Sequence, residues 1–478
     1  MSGKANLKMF VIIALVIVII MIIAIAVLLS GALNNISGGT PTNTTGPVIE
    51  IGGSNIVDNT TNTSNTTRSG NTVANQTTTG QVDLTSSEFT TKFLKIENDS
   101  KNIIYSPLSI QYALHMLSDG AKGNTKKQID DVIGTKKLTS YKNVDKVLSL
   151  ANAIFIRDTY QNKVLGTYKN LLHDNYDADI VYDPFENAEK ANKWISDKTF
   201  GIIPKMLKDE QVSDPSVKLM LINALAIDME WKIQFDADDI YKADFTRQYG
   251  DKMEVAMMAN TEKNDAISYY KGQDVTALAM DLKEYDGNQF QFLAIMPEKD
   301  LNSYIKDFSY ADIENVVSNL KSSSKEKYGV SYHIPRFDYE YDLGLKSDLM
   351  KMGITDAFAQ STADFENITG PLDETLRLYV GDALHKAKIE FNEKGIKAAA
   401  VTVILMEDNA MAGSPEKQEP VVVKIDKPFL YVIRDKKTNE VWFIGATFEP
   451  EKWNDYQKKL EEAEKETIQK LRSENYNE

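Results

Sequence analysis

Four histidines, His115, His173, His333 and His385, are the only imidazoles in 478 residues, and none lies within five residues of another. The short spacings that bring two imidazoles to one metal are therefore missing, and with no cysteine there is neither a thiolate ligand nor a thiol nucleophile. No metal and no cofactor is expected. The GxSxG elbow, the GxxxxGK[ST] loop, GxGxxG and HExxH are also absent. Carboxylates are abundant, but sequence alone cannot pair two of them as a glycosidase would. A Ser/His/acid triad, whose members can lie far apart in the chain, stays open at this point. The 54 basic side chains face 69 acidic ones, a net charge of −15, which argues against a nucleic-acid partner.

The chemistry that remains legible lies in 385–430, which begins HKAKIEFNEKGIKAAAVTVILMEDNAMAGSPEKQEP. A strand-like run reaches Gly395, a natural hinge, and is followed by Ala398, Ala399 and Ala400 and the β-branched run Val401–Ile404. A polar stretch from Glu407 to Pro420 comes next, before strands resume. A connection of this length between strands is uncommon and usually functional or disordered. Its first half has strand composition, because Ile396, Ala398, Ala400, Thr402 and Ile404 alternate as apolar or small residues able to face a core. The segment can thus be loop in one state and strand in another. An ordinary strand with a long turn is the alternative.

Around this segment, helical and strand patterns interleave irregularly, and no internal repeat stands out. SPLSIQYALHMLSDGAKGNTKKQIDDVI opens with a Ser-Pro helix start, and NAEKANKWISDKTFGIIPKML reads as a helix and a turn. VKLMLINALAIDMEW and QFQFLAIMP read as buried strands, and FLYVIRDKKTNEVWFIGATF as a hairpin across a polar turn. The mixture predicts an α+β fold with largely antiparallel sheets.

The ends differ from this middle. Phe10–Leu29 is a run of twenty apolar residues without charge, Gly or Pro, which as a helix spans about 30 Å, one hydrocarbon core. Lys4 and Lys8 precede it and Arg68 is the next basic residue, so residues 1–30 read as a single-pass anchor with everything after Ser30 outside the cell membrane. A cleavable signal peptide, whose apolar region is typically about 7–15 residues, is the rival. Residues 31–82 are rich in Asn, Thr, Ser and Gly and read as a disordered extracellular stalk. The stalk carries acceptor sequons at Asn35, Asn43, Asn59, Asn62, Asn65 and Asn75, and a glycoprotein is expected; Asn98 and Asn367 are two further matches. Residues 451–478 form a highly charged, helix-like tail with Trp453, Tyr456, Leu460, Ala463 and Leu471 near one face, expected to be a solvated helix with a weak docking stripe.

Residues 83–450 resemble the serpin family (serine protease inhibitors), of a membrane-anchored prokaryotic type. The segment 385–430 is similar to the family's hinge and reactive-centre loop, in which a glutamate and a glycine precede an alanine-rich run. NIIYSPLSIQYALHMLSDGAKGNTKKQI resembles the start of the shutter, and LINALAIDMEW the central strand of sheet A with its breach tryptophan, here Trp231. PRFDYEYDLGLKSDLMKMGITDAFAQSTADFENITG and DKPFLYVIRDKKTNEVWFIGATFEP match two further stretches. The resemblance implies three β-sheets with surrounding helices and an exposed loop. It also implies no enzyme activity, but a monomeric suicide inhibitor of serine peptidases, whose cleaved loop enters sheet A as an extra strand. Carried over by position, the hinge is Glu393, Gly395, Ile396 and Ala398–Ala400, and the shutter is Ser106, Ser109, Asn223 and His385. Counting from Glu393 puts the reactive bond at Asn409–Ala410. Ile396 and Lys397 depart from the small hydroxyl residue and glutamate usual there, and the loop is several residues longer than usual. A non-inhibitory binding protein of the same fold is the alternative. No Lys or Arg lies between Ala398 and Glu416, so subtilisin- or chymotrypsin-like targets fit better than trypsin-like ones.

Overall fold

The computed structural model describes residues 84–134, 138–396 and 419–475. All belong to one unit, Thr79–Glu478. The candidate span Phe10–Leu29, the stalk and its sequons, Ala398, Ala399, Ala400, Asn409 and Ala410 lie outside the described residues. Among the described residues no helix is long and apolar enough to cross a membrane.

Helix α1 (Leu84–Ile96) leads into β1 (Ile103–Tyr105), then α2 (Pro107–Gly120) and α3 (Gly123–Ile133). The Ser-Pro start works as expected: the Ser106 side chain accepts the Ser109 N–H, and Pro107 occupies the first turn, where no N–H is needed. Helices α4 (Gly166–Tyr176) and α5 (Glu189–Lys198) follow, and a long C-terminal helix covers Trp453–Asn475.

One sheet has seven strands in the order β1, β18 (Val441–Thr447), β17 (Phe429–Asp435), β10 (Phe290–Pro297), β9 (Val275–Asp281), β8 (Ile267–Lys271) and β11 (Lys321–Ser322). Its β17–β18 pair is the expected hairpin; Asp435 accepts the Lys437 N–H and Asn439 takes the left-handed conformation that closes the turn. A second sheet orders β16 (Val421–Lys424), β12 (Val330–Pro335), β7 (Lys252–Glu262) and β6 (Ile240–Thr246).

Two smaller sheets lie next along one line of chain. One is β3 (Asp179–Asp183), β2 (Leu148–Arg157) and β4 (Leu219–Ile227). The other is β13 (Phe337–Leu343), β14 (His385–Phe391), the two-residue β15 (Gly395–Ile396) and β5 (Met229–Glu230). Since β5 continues the line of β4 after Asp228, the two join at one end. Odd-numbered β4 residues face the cores shared with α2 and the seven-stranded sheet, while Met220 and Ile222 pack with Ile195 of α5 on the opposite face. This alternation is the period-2 pattern of a strand buried on both sides. The architecture is the α+β serpin fold expected, with surrounding helices, although the strands group into sheets of seven, four, four and three rather than three sheets, because β4 and β14 share no ladder.

Candidate functional site: a slot between two unpaired strand edges

Strand β4 pairs along its length with β2, and β14 with β13, but among the described residues β4 and β14 have no ladder with each other. They nonetheless face one another. Leu225–Ile227 and Lys388–Glu390 line one cavity, and further along Leu221, Asn223, Leu384 and His385 line another. A single bridge between Leu219 and Val380 closes the far end. Two strand edges that share no ladder among the described residues, held side by side, form a template for one more strand.

The near end of the slot is occupied. Gly395 and Ile396 of β15 pair antiparallel with Glu230 and Met229 of β5, and Ile396 also pairs with Phe391 of β14. The turn leading into β15 is tightly specified. The Asn392 side chain accepts the N–H groups of Lys394 (2.9 Å) and Gly395 (3.2 Å), and the Asn392 N–H donates to the Gly395 carbonyl at 3.1 Å. From the other side, the N–H of Trp231 donates to the Lys394 carbonyl (2.8 Å) and the N–H of Phe235 to the Glu393 carbonyl (3.0 Å). The indole N–H of Trp231 donates to the Asn392 carbonyl at 2.8 Å, and its ring lies 5.0 Å from that of Phe391. Only glycine fits at 395: a Cβ there would collide with the Met229 carbonyl oxygen and lie 2.7 Å from Glu230 Cα. Ile396, although larger than the residue usual in the family, is seated in the core at 3 % exposure, so its bulk is accommodated at the mouth of the slot.

Ser106, Ser109, Asn223 and His385 meet midway along the slot. His385 Nε2 accepts the Ser106 N–H at 3.0 Å, the Ser109 hydroxyl donates to Asn223 Oδ1, and the Asn223 amide donates to Asn152 Oδ1. The Asn152 amide in turn donates to the Tyr176 carbonyl at 3.1 Å. Buried polar groups must be paired, and this chain of bonds satisfies them across α2, β2 and β4. It is not a nucleophile site, because the serine hydroxyl points to an amide and the imidazole nitrogen is already engaged by a backbone N–H. Burial pushes the His385 pKa down to about 4, so the ring is neutral at pH 7 with Nε2 as the acceptor.

This histidine sets a pH dependence. Between pH about 6.5 and 4 the unfolded chain binds a proton that the native protein does not. The stability His385 protects is therefore complete above pH 6.5 and is lost progressively as pH falls toward 4, about 3 kcal/mol in all. Denaturant midpoints between pH 7.5 and 4.5 should fall less steeply in His385→Gln than in the parent; equal slopes would remove the imidazole as the cause.

Glu393 is the charged residue of the predicted hinge. It pairs with the Arg336 guanidinium, itself buried beside Glu451. Asn152, Asn392, Arg336 and Glu451 are the site residues that the sequence reading missed. Each is an ordinary polar residue with no local motif, and only strand register and the docking of the C-terminal helix bring them here. Asn98 and Asn367 use the amide nitrogens that a glycan would need to donate to the Asn302 (3.0 Å) and Ala121 (2.9 Å) carbonyls.

A family model described as Serpin (serine protease inhibitor) matches residues 85–450. An uncharacterized serpin-like protein of Methanosarcina acetivorans is 28% identical over 74% of this chain and 83% of its own length. Serpin B10 of Sorex araneus is 30% identical, over 76% of this chain and 97% of its own. Among solved structures, the native thermophilic serpin tengpin aligns with a TM-score of 0.62 at 28% identity, covering 77% of this chain and 93% of that one. A slot between two unpaired strands, a glycine hinge seated at its mouth and a match spanning 85–450 lead to one assignment: the chain belongs to the serpin family.

Proposed function

We propose that the protein is a suicide-substrate inhibitor of serine peptidases that traps its target by inserting its cleaved loop between β4 and β14. Serpins are in general protease inhibitors rather than enzymes. The observation that carries the finer reading is the unpaired pair of edges with Gly395–Ile396 already at its mouth.

The ladder of β15 supports a specific register for insertion. Continuing its register sets Lys397 opposite Glu390, Ala398 opposite Ile389 and Ile227, Ala400 opposite Ala387 and Leu225, and Thr402 between His385 and Asn223. Inward positions thus receive alanines where the slot is apolar and a hydroxyl where it is polar. The departure at Lys397 also acquires a purpose. Glu390 lines the slot and burial raises its carboxyl pKa, so an inserted lysine would supply a counter-charge. Met406 would come to lie opposite Leu219, about where the Leu219–Val380 bridge ends the slot. At about 3.3 Å per residue, insertion from 395 to 406 carries the cut end some 40 Å. That distance takes a covalently bound peptidase from one end of the domain toward the other.

Counting from Glu393 supports cleavage at Asn409–Ala410, and the absence of Lys or Arg from Ala398 to Glu416 favours subtilisin- or chymotrypsin-like targets. The apolar run Phe10–Leu29 and the sequon-rich stalk support an inhibitor tethered as a glycosylated monomer on the outer membrane face. The test is incubation of the full-length protein with a peptidase panel, followed by denaturing gels. An SDS-resistant complex is expected with subtilisin or chymotrypsin, and the mass of the released C-terminal fragment reports the bond. Clean cleavage without complex would instead support a non-inhibitory protein.

A further inference from the structure

The family match ends at Pro450, and the chain runs on into Glu451 and the C-terminal helix. The side chains of Arg336 and Glu451 are 8 % and 6 % exposed. Arg336 Nε donates to Glu451 Oε2 at 2.9 Å while its Nη1 donates to Glu393, in the turn that begins β15. The guanidinium lies 5.0 Å from the centre of the Tyr456 ring on the first turns of the helix. Lys459 Nζ approaches Glu451 Oε1 (2.8 Å) and Asp338 (3.2 Å), while the Glu451 N–H donates to the Arg336 carbonyl at 2.9 Å. Burial alone would discourage the Arg336 charge, and Glu393 and Glu451 more than compensate, leaving its pKa above the ordinary value. A planar guanidinium with one edge on each carboxylate and a ring beneath it has little freedom to turn.

We infer that Glu451 and Tyr456 are positioning residues for the trapping step: they hold Arg336, Arg336 holds Glu393, and Glu393 fixes the turn from which the inserted strand grows. The inference rests on the insertion reading above. The first residues of a growing element lose conformational entropy before the ladder returns it, so an anchored turn serves as a ready nucleus. Release of Glu451 lets Arg336 rotate toward water and Glu393 follow, and the two residues of β15 then fray out of the slot. Two effects of opposite sign result. The protein's own loop inserts more slowly after cleavage, so more of it is released as cut product. The vacated mouth also becomes easier for a competing strand to enter.

The decisive comparison is full-length parent, Glu451→Gln and Glu451→Asp. A synthetic peptide copying residues 395–408 serves as the competing strand, its uptake read by native mass spectrometry. Loss of one charged bond to a buried guanidinium corresponds to about tenfold, so Glu451→Gln should take up the peptide about tenfold faster and Glu451→Asp much less so. In the same variant, the ratio of cut product to SDS-resistant complex should rise. A change on the far part of the helix, Lys465→Gln, should move neither readout, which separates positioning from a general loss of helix stability. Should Glu451→Gln not fold, Lys459→Gln loosens Glu451 from its exposed side and should shift both readouts in the same direction, by less. Parent-like uptake and partition in these variants would overturn the inference while leaving trapping intact. If the parent forms no complex with any peptidase yet Glu451→Gln takes up peptide faster, trapping falls and the clamp on the hinge stands.

Discussion

A single cut within residues 407–418 is expected to raise the thermal midpoint of the protein by about 20 °C or more. Before a cut, this part of the chain is tethered at both ends, by β15 at the mouth of the slot and by β16, which is fixed in another sheet by parallel pairing of Val421–Lys424 with Val330–His333. A cut releases one end, and the segment following Ile396 gains partners on both sides. Roughly ten residues with a cross-strand neighbour on each edge, at about 0.2–1 kcal/mol per pair, amount to something on the order of 10 kcal/mol. For a domain of this size 1 kcal/mol corresponds to about 2 °C. Limited proteolysis followed by calorimetry of cut and uncut protein measures the shift. An unchanged or lowered midpoint would sink the insertion mechanism, whatever the gels show.

Ile396→Arg is expected to turn the inhibitor into a substrate. The position is 3 % exposed, paired with Phe391 and Met229, and belongs to the same hydrophobic core as Trp231, Phe292 and Phe391. A cation there must either be buried unpaired, at a cost of several kcal/mol, or keep the hinge out of the slot. The second course costs less and removes the nucleus for insertion. Peptidase binding and cleavage should persist, since the reactive bond is far along the loop, while the number of inhibitor molecules consumed per enzyme trapped rises at least about tenfold. Ile396→Val, which keeps the apolar contact, should stay near the parent. Titration of a fixed amount of peptidase with each variant gives the ratio directly, and equal ratios for arginine and valine would show that insertion does not pass through this pair of strands.

Legibility varied with the range of the interaction involved. The α2 start was readable because Ser106, Pro107 and Ser109 are adjacent in sequence and their capping bond is local. The β17–β18 hairpin was readable for the same reason, with its turn chemistry inside six residues. His385 and Asn223 could be named only through resemblance to a family, since 162 positions separate them and neither lies in a local motif. Asn152 gave no signal at all: it joins the cluster because β2 and β4 pair in the register that sets it opposite Asn223. The C-terminal helix shows both sides of this. Its amphipathic stripe was visible and Tyr456 and Ala463 are indeed buried, yet Leu460 is substantially exposed. The strongest link of this region to the site, from Glu451 to Arg336, is made by two charges that periodicity does not weigh.

What the amino-acid order determined by itself was the kind of chemistry available. Without cysteine, with four scattered histidines and no nucleotide or nucleophile motif, it disfavoured most catalytic classes and left an alternating small-residue strand after a glycine hinge. Such properties are local, because composition and period-2 alternation survive without any tertiary contact. Whether that strand has somewhere to go was decided only in three dimensions. The absence of a ladder between β4 and β14, the seating of Gly395 and Ile396 at its mouth, and the charge that ties the hinge to the last helix all depend on edges and side chains far apart in the chain. Free strand edges are a property of how sheets close, and closure is settled by packing rather than by any one segment.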